Sequence, residues 1–162
     1  MTIDYPYVPK GRSINYVQLD NPYMHRAYLY ARRYSIDDAM PNASVAVRKG
    51  KVLVQAAHGN MHHKKFGCER VRLNIATGQQ YELCAGCSYK DHSEAKLVRL
   101  AKRKKISLKG ASLYLWGHWW CCESCWSDMI GAGISRVYLL KGSEILFNKK
   151  HPDNIVGRQL KT

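Results

Sequence analysis

The amino-acid sequence predicts an α/β fold in which a mixed sheet is flanked by helices. From Gly50 onward the residue patterns run strand, helix, strand, helix, strand, an alternation typical of parallel strands joined by helices. Two β-branched runs around a Lys49-Gly50 turn add an antiparallel hairpin. A length of 162 residues with 46% hydrophobic residues suits a single domain, 1–162, with its own core.

Local signals indicate the first elements. Residues 1–20 mix Tyr with Pro and Gly and are predicted to form an irregular N-terminal arm. A helix is predicted from about Pro22 to Tyr34, because Asn21 can cap it, proline suits a first turn, and YMHRAYLYARRYS has apolar residues at helical spacing. The strands of the hairpin then lie in SVAVR and KVLVQAA.

The later elements alternate more regularly after one long interruption. Residues 58–91 have no sustained period and are predicted to form a long loop, a feature that is usually functional or held by a metal. A helix begins at Ser93, where EAKLVRLAKRKK is amphipathic. A buried strand over 111–116, a helix over 123–132 and a strand over 135–140 complete the pattern.

Net charge, hydrophobic runs and cysteine content indicate the kind of partner and the cellular compartment of the protein. The formal net charge of +14 favours phosphate-bearing or polyanionic partners, although a basic surface can also serve solubility alone. No run approaches the roughly 18 consecutive apolar residues of a membrane span, and the N-terminus lacks the apolar core of a signal peptide. We therefore expect a cytoplasmic protein with no membrane partner, whose six cysteines are reduced thiols or metal ligands.

Two short motifs, each at a predicted helix start, carry the chemistry. His92-Ser93-Glu94 opens one helix and Cys122-x-x-Cys125 opens the next, with one strand between them. The positive end of a helix dipole lowers a thiol pKa and favours the thiolate that binds metal. One imidazole and two thiolates are three protein ligands, and a catalytic zinc site keeps its fourth position for water. The motifs predict a catalytic Zn²⁺ on His92, Cys122 and Cys125.

Glu94 stands at the same helix start without belonging to this ligand set. Zinc lowers the pKa of a water in the open position toward neutrality. A carboxylate at this place can take the proton of that water and pass it to the ring nitrogen and then to the departing amine. We therefore predict that Glu94 is the catalytic acid and base of a hydrolytic deamination.

The stretch from about Ser44 to Leu140 resembles the zinc-dependent cytidine and deoxycytidylate deaminase superfamily, and it looks most like the deoxycytidylate deaminases. The signature of the family is H-x-E followed after roughly thirty residues by P-C-x-x-C. LKGASLYL before the second motif and WSDMIGAGISRVYLL after it look like the strand and the helix of the family. The resemblance implies a three-layer sandwich with a mixed five-stranded sheet. The residues that match the signature are His92, Glu94, Cys122 and Cys125.

The resemblance implies hydrolytic deamination of a cytosine base, carried on a deoxynucleotide such as dCMP. The basic charge favours an alternative with the same chemistry, in which the substrate is cytosine or adenine in single-stranded DNA, RNA or tRNA. A second alternative is a non-catalytic, zinc-stabilised nucleic-acid-binding module. Members of the family form dimers and hexamers, so the resemblance is also compatible with a homo-oligomer.

Three departures from the family pattern bear on the site. Cys121 stands where the family usually has proline and is a rival metal ligand, although Cys122 and Cys125 have the spacing of the family. The segment 116–120 is about two residues longer than the corresponding family loop. His58 aligns with the asparagine with which the family reads the base or the sugar, and Asn60 follows two residues later. Both are candidate substrate-binding residues.

Besides Cys121, three further cysteines remain once the catalytic ligands are assigned. With a nearby histidine they can complete a closed tetrahedral zinc site, which would keep the long loop ordered. The resemblance permits such a site, because some deoxycytidylate deaminases carry a second, structural zinc. The alternative is that these are ordinary reduced thiols. The thiols are Cys68, Cys84 and Cys87, and the candidate fourth ligands are His58, His62 and His63.

A zinc ribbon is the competing interpretation of the cysteine pattern. Two C-x-x-C pairs, 84–87 and 122–125, together have the composition of a closed four-cysteine site. This interpretation leaves His92 and Glu94 unexplained. It also requires one small knuckle to span an intervening helix and strand.

Aromatic and basic residues flank the motifs. Trp116, on a predicted strand, is more simply a core residue. Trp119 and Trp120, together with His118, lie beside the second motif and are predicted to bind substrate, since aromatic faces commonly hold a base. The segment 96–109 has seven basic residues and no acidic one, which indicates either a solvated helix face or a phosphate-binding surface.

Overall fold

A mixed five-stranded sheet forms the centre of the computed structural model, which describes residues 6–36, 40–76 and 78–160. Within these ranges the strands are β1 Ile14–Val17, β2 Ala43–Arg48, β3 Lys51–Ala57, β4 Ser112–Trp116 and β5 Arg136–Leu140. The helices there are α1 Pro22–Tyr34, α2 His62–Phe66, α3 Glu69–Arg72, α4 Ser93–Arg103, α5 Glu123–Gly131 and α6 Ser143–Leu146. Short 3₁₀ turns lie at Tyr81–Leu83, Ala85–Cys87 and Tyr89–Asp91. None of the helices in these ranges has the length and apolar character to cross a membrane.

The strand order β1-β5-β4-β2-β3 combines parallel and antiparallel pairs. Strand β2 pairs antiparallel with both β3 and β4, whereas β5 pairs parallel with both β4 and β1. All strands except β2 therefore run in one direction. The connections from β3 to β4 and from β4 to β5 pass through α4 and α5, as parallel strands require. The predicted α/β class and mixed sheet are confirmed.

The central strand β4 shows how helices cover both faces of the sheet. Leu113 and Leu115 pack in the cluster that contains α4 and α5, while Tyr114 and Trp116 pack in the cluster that contains α1. Successive strand residues point to opposite faces, so the two clusters lie on opposite sides. The fold therefore has the three layers that the resemblance implied, and Trp116 is a core residue, as predicted.

Local signals located the first helix and the hairpin correctly. The Asn21 side chain accepts hydrogen bonds from the backbone N–H groups of Tyr23 and Met24 at 3.0 and 3.1 Å, so α1 begins after it. Lys49 and Gly50 have φ values of 50° and 74°. A type I′ hairpin turn requires positive φ at both central residues, which explains why β2 and β3 are joined here.

Residues 14–17 correct the prediction of an irregular arm over residues 1–20. They form β1, an edge strand that pairs in parallel with β5. The Asn15 side-chain amide donates to the carbonyl oxygen of Val137 at 3.5 Å, across 122 residues of sequence. A four-residue strand whose partner is this distant carries no local pattern of its own. Residues 1–5 of the predicted arm lie outside the described residues.

Residues 58–91 also correct a prediction, because they are not a plain loop. They contain α2, α3 and the three 3₁₀ turns, none longer than five residues. Elements this short span too few turns to show a hydrophobic period, so the sequence pattern could not indicate them. We call this segment, residues 58–91, the β3–α4 insert.

The fold brings two helix N-termini together. Helices α4 and α5 pack on the same face of the sheet and contact each other. Because β3 and β4 run in the same direction, the helix that follows each strand begins at the same edge of the sheet. His92 is the N-terminal cap of α4 and Cys122 is that of α5. The two sequence motifs therefore meet beyond the carboxyl ends of the strands, where α/β sheets commonly bind ligands.

Gly117, directly after β4, is a position where a side chain should not be tolerated. Its φ is +100°, and a Cβ would lie 2.2 Å from the carbonyl oxygen of Pro41. We expect Gly117→Ala to lower the free energy of unfolding by about 2 kcal/mol or more, measured by urea denaturation. Gly131→Ala is the control, because nothing lies within 4 Å of its Cβ position. Equal losses in the two variants would contradict this expectation.

Candidate metal centres and catalytic cavity

His92, Cys122 and Cys125 meet where α4 and α5 begin. Their ligand atoms all lie within 4.8 Å of one another. His92 Nδ1 is 3.6 Å from Cys122 Sγ and 3.5 Å from Cys125 Sγ. The C-x-x-C spacing places both sulfurs at the first turn of α5, where the Cys125 N–H donates to Cys122 Sγ at 3.4 Å.

These distances and donor types fit a zinc ion. With Zn–N and Zn–S bonds of about 2.0 and 2.3 Å in a tetrahedral site, an imidazole nitrogen and a thiolate sulfur lie about 3.5 Å apart. The observed separations of 3.5 and 3.6 Å agree with this value. Imidazole and thiolate donors are also the types that zinc prefers. Three such residues leave one tetrahedral position for a further ligand.

The protonation states of His92, Cys122 and Cys125 favour the binding of a cation, because one of the thiols is ionised. The hydrogen bond with Cys125 is the largest of the effects that lower the pKa of Cys122 to about 4, against the opposing effect of burial. The pKa of Cys125 is raised by its hydrogen bond to Cys122 and by burial. Burial lowers the pKa of His92, but the Cys122 hydrogen bond and the charge of Glu94 outweigh it, so this pKa is raised. The cluster therefore contains a thiolate at neutral pH.

Glu94 lies buried in the first turn of α4, with 4% of the residue exposed. The Ser93 hydroxyl donates to Glu94 Oε2 at 3.2 Å, and Ser93 Oγ is 2.6 Å from Ser44 Oγ on β2. This hydroxyl pair orients the carboxylate. Glu94 lines the same cavity as His92 and Cys122, which puts a proton-accepting group beside the cluster.

Cys121, the rival metal ligand, lies outside both clusters found among the described residues. Burial raises the pKa of its thiol well above the usual value, and the charge of Glu94 and a hydrogen bond to Glu94 raise it further. Cys121 therefore remains a protonated thiol that donates to Glu94. The geometry favours Cys122 and Cys125 as the two cysteine ligands of the metal.

A second cluster lies in the β3–α4 insert and combines His63 with Cys68, Cys84 and Cys87. His63 Nε2 is 3.5 Å from Cys84 Sγ and from Cys87 Sγ, and Cys68 Sγ is 3.5 Å from Cys87 Sγ. All four ligand atoms lie within 4.8 Å of one another. Four donors at these separations fit a closed tetrahedral zinc site.

His63 is the histidine that the structure brings to the three thiols. A Cβ on Gly86 would lie 2.4 Å from His63 Cδ2, so the glycine leaves the space that the imidazole fills. His62 packs instead against Phe66, with ring centres 5.1 Å apart. Burial raises the pKa of Cys84, but hydrogen bonds from the backbone and from His63 outweigh it and lower this pKa to about 6. The second cluster thus also favours a thiolate.

The zinc-ribbon interpretation is wrong, because the two C-x-x-C pairs lie in different clusters. Cys84 and Cys87 are grouped with His63, whereas Cys122 and Cys125 are grouped with His92. A four-cysteine site requires all four sulfurs around one metal. The fold instead supplies a histidine to each pair.

One cavity of about 290 Å³ connects the two clusters. Arg70 and Tyr81 of the β3–α4 insert form part of its wall, and the sequence patterns did not identify Tyr81. The Arg70 guanidinium lies 4.8 Å from the centre of the Tyr81 ring, and the Tyr81 ring meets the His92 ring edge to face at 5.4 Å. The cluster residues in its lining are His63, Cys68, Cys87, His92, Glu94 and Cys122.

Most of the predicted substrate-binding residues line this cavity, but Asn60 does not. The Asn60 amide donates to Asp91 Oδ2 at 2.6 Å and to the Ala85 carbonyl oxygen at 3.3 Å, while its side-chain oxygen accepts from the His62 N–H at 2.9 Å. Asn60 therefore holds the insert together, and its predicted role in substrate binding stays a prediction that the cavity lining does not support. The predicted residues in the lining are His58, His118, Trp119 and Trp120.

His118 presents a hydrogen-bond donor of fixed identity. Its Nδ1 accepts hydrogen bonds from the backbone N–H groups of Trp119 and Trp120 at 3.0 and 3.3 Å. The ring proton is therefore assigned to Nε2. Burial, followed by the nearby His92 and His58, lowers the pKa of His118 to about 3. The ring stays neutral, with one donor left for the cavity.

Several cavity residues come from segments that carry no recognisable signal. Asn42 precedes β2, is 5% exposed, and donates from its side-chain amide to the Met40 carbonyl oxygen at 3.0 Å. Lys149 and Lys150 follow α6 and are exposed, so they place positive charge at the mouth of the cavity. These residues are distant in sequence from both motifs, and only tertiary folding brings them to the site.

Comparisons with solved structures identify deaminases of several kinds. The apo dCMP deaminase from the cyanophage S-TIM5 is 18% identical, with 75% of this chain and 82% of that chain covered and a TM-score of 0.47. A structure from a study of tRNA:A34 deaminases is 22% identical, with 82% and 93% covered and a TM-score of 0.42. A diaminohydroxyphosphoribosylaminopyrimidine deaminase/reductase from Thermotoga maritima is 20% identical, with 72% and 28% covered and a TM-score of 0.43. A search of curated proteins gives no significant match.

The family comparison covers both motifs. Residues 17–141 match the model of the cytidine and deoxycytidylate deaminase zinc-binding region. This range contains the converging helix starts, the buried carboxylate and the β3–α4 insert. Since the match spans more than three quarters of the sequence, the chain belongs to the cytidine and deoxycytidylate deaminase family and is a zinc-dependent hydrolytic deaminase.

Proposed function

We propose that the protein removes the amino group from the cytosine base of a deoxynucleotide such as dCMP, giving dUMP and ammonia. The observation that carries this proposal is the buried Glu94 carboxylate in one cavity with the His92, Cys122 and Cys125 cluster. Water supplies the oxygen that replaces the amino group at C4 of the base. The reaction therefore needs a group that moves protons from water to the departing nitrogen.

Glu94 is proposed to carry these protons. A zinc ion held by His92, Cys122 and Cys125 would supply a water acidic enough to lose a proton at neutral pH. Glu94 accepts that proton, transfers it to the ring nitrogen N3, and then moves a proton to the amino group, which leaves as ammonia. The Ser93 hydroxyl and the Cys121 thiol both donate to this carboxylate and hold it in place.

The cavity offers groups that suit a base and a phosphate. Trp119 and Trp120 provide aromatic surface, and the Nε2–H of His118 can donate to the carbonyl oxygen of a cytosine. Lys149 and Lys150 lie where the cavity opens to solvent and can pair with a phosphate group. A nucleoside monophosphate has this combination of a planar base and one phosphate.

We also propose that His63, Cys68, Cys84 and Cys87 hold a second, structural zinc. Four protein donors leave no open position, so this site is not expected to activate water. Its expected effect is on the cavity wall, because Arg70 lies in the same insert and packs on Tyr81, which contacts His92. Loss of this metal would therefore loosen one side of the substrate cavity.

A polynucleotide is the second candidate substrate. Phe66, Val71 and Leu73 of the β3–α4 insert are 65%, 66% and 56% exposed, and Val71 lines the cavity. The exposed Phe66 ring can stack on a base that flanks a target nucleotide, and the two aliphatic side chains can add apolar contact. A free mononucleotide has no flanking base to use this surface.

Replacing Glu94 by glutamine tests the proton transfer. We expect Glu94→Gln to retain zinc and to lower kcat by about 10²- to 10⁴-fold, because an amide cannot accept the proton. Ammonia release and metal content are the measurements. Glu123→Gln is the matched control, since Glu123 is an exposed carboxylate beside Cys122 at the start of α5 and should leave kcat unchanged. Full turnover in the Glu94 variant would contradict the proposal.

Metal content tests the two clusters separately. We expect elemental analysis to find about two zinc ions per chain, in keeping with one three-residue and one four-residue donor set. Cys122→Ser should lose one zinc together with activity. Cys87→Ser should lose the other and raise KM more than it lowers kcat. Cys121→Ala should keep both, and loss of zinc from that variant would show that the ligand assignment is wrong.

Substrate choice is tested with dCMP, deoxycytidine, single-stranded DNA and tRNA assayed side by side. We expect kcat/KM to be highest for dCMP. The double variant Lys149→Ala/Lys150→Ala should raise KM for dCMP about tenfold, because a charged hydrogen bond is lost, and should leave KM for deoxycytidine unchanged. Lys141→Ala, which removes an exposed lysine outside the cavity lining, is the control. Ammonia release from polynucleotides alone would favour the second candidate.

A further inference from the structure

A basic groove runs along the outer edge of the sheet, away from the catalytic cavity. Its floor is the part of β3 over Gln55–Ala57, and its volume is about 370 Å³. Helices α1 and α4 lie on opposite faces of the sheet and both overhang this edge. We call this feature the β3-edge groove. Its walls are Tyr30 and Tyr34 from α1 and Lys96, Arg99, Leu100 and Arg103 from α4.

The charge around the β3-edge groove is almost entirely positive. In the four elements that border it, α1, β2, β3 and α4, the single carboxylate is Glu94, which is buried in the catalytic cavity. No acidic side chain of these elements therefore neutralises the groove. A concave surface lined by one sign of charge concentrates the opposite charge. The cations of the four elements are Arg26, Arg32, Arg33, Arg48, Lys51, Lys96, Arg99, Lys102 and Arg103.

Two tyrosine rings supply a stacking surface in the same groove. Tyr30 and Tyr34 lie one helical turn apart, with ring centres separated by 4.5 Å. Tyr34 is 49% exposed, and the Arg33 guanidinium lies 5.3 Å from the centre of its ring. An exposed aromatic ring next to cations is the combination that holds unpaired bases and their phosphates.

One cation of α1, Arg26, lies outside the groove lining but is held beside the groove floor. Arg26 Nε donates to Gln55 Oε1 at 2.8 Å, and Gln55 belongs to the groove floor. The terminal nitrogens of this guanidinium stay close to the groove, where they can donate to phosphate oxygens. A fixed arginine loses less conformational entropy on binding than a free one.

The charge pattern argues against a second copy of the chain as the occupant. An edge strand can pair with the same strand of another molecule. Pairing two copies along β3 would bring the cations of both grooves together, while the four bordering elements contribute only the buried Glu94, and like charges across an interface oppose association. A polyanion removes this repulsion, and the exposed Tyr34 ring favours a polyanion that has bases.

We propose that the β3-edge groove binds single-stranded nucleic acid, with bases stacked on Tyr30 and Tyr34 and phosphates paired with the cations of α1 and α4. The proposal does not depend on the deaminase reaction. Ala57 lies in the groove and the next residue, His58, lines the catalytic cavity, so the two binding regions are adjacent in the fold. The groove gives a function to the basic segment 96–109.

Binding of a labelled oligothymidine of about 20 nucleotides to the zinc-loaded protein tests the groove. This probe contains no cytosine, so it is not a substrate of the proposed reaction. Arg99→Glu/Arg103→Glu should weaken binding at least tenfold and reduce the slope of log K against log salt by about 1.4 or more, as expected for two lost phosphate contacts. Tyr34→Ala should weaken binding about fivefold or more, the usual range for one stacking residue.

The matched control is Arg136→Glu/Lys141→Glu, which makes the same charge change at exposed positions on β5 and just after it, outside the groove lining. This control should change the affinity by less than about twofold if binding is local. Deamination of dCMP should be unchanged in all three variants, which shows that they are folded and separates this test from that of the proposed function.

Three results would overturn the proposal. An equal loss of affinity in the control variant would show that the whole basic surface binds without a defined groove. Equal affinity for duplex DNA of the same length, with no effect of Tyr34→Ala, would show that bases are not bound there. Equal affinity for polyglutamate would make the groove a surface for acidic protein segments.

Discussion

The structure depends on the convergence of two helix N-termini on one face of the sheet. Helices α4 and α5 follow strands that run in the same direction, so both begin at the same edge. Their caps, His92 and Cys122, are thereby brought to an N···S separation of 3.6 Å, although they are 30 positions apart in the sequence. The positive ends of both helices favour the thiolate form. Metal ligation and the position of Glu94 follow from this arrangement.

The β3–α4 insert shows how a segment with little regular structure can still form a cavity wall. Its helices and turns are three to five residues long, too short to be stable by themselves. Side chains cross-link it instead: His63 meets three thiols, and Asn60 is bound to Asp91 and to Ala85. The same segment carries the Tyr81 ring onto His92. The contacts that order the insert therefore also fix the shape of the cavity wall.

Charge is distributed unevenly between two concave regions. The catalytic cavity contains a buried carboxylate, thiols and a neutral His118, with lysines confined to its mouth. The β3-edge groove has three cations on its α4 wall and two tyrosines on its α1 wall, of which Tyr34 is exposed, with no carboxylate of its bordering elements in reach. The first suits a small polar base, whereas the second suits an extended polyanion. Part of the net charge of +14 is therefore concentrated at the β3-edge groove.

The sequence by itself determined the α/β class, the hairpin at Lys49-Gly50 and the two motifs that meet at the candidate site, because caps, turns and ligand spacings are local properties. Tertiary structure alone decided that residues 14–17 are a strand and that His63, rather than His58 or His62, joins the thiols of the insert. It also decided that Asn60 does not line the cavity and that residues from distant segments, such as Asn42 and Lys149, do. Such outcomes depend on contacts between segments far apart in the chain, which no local pattern records.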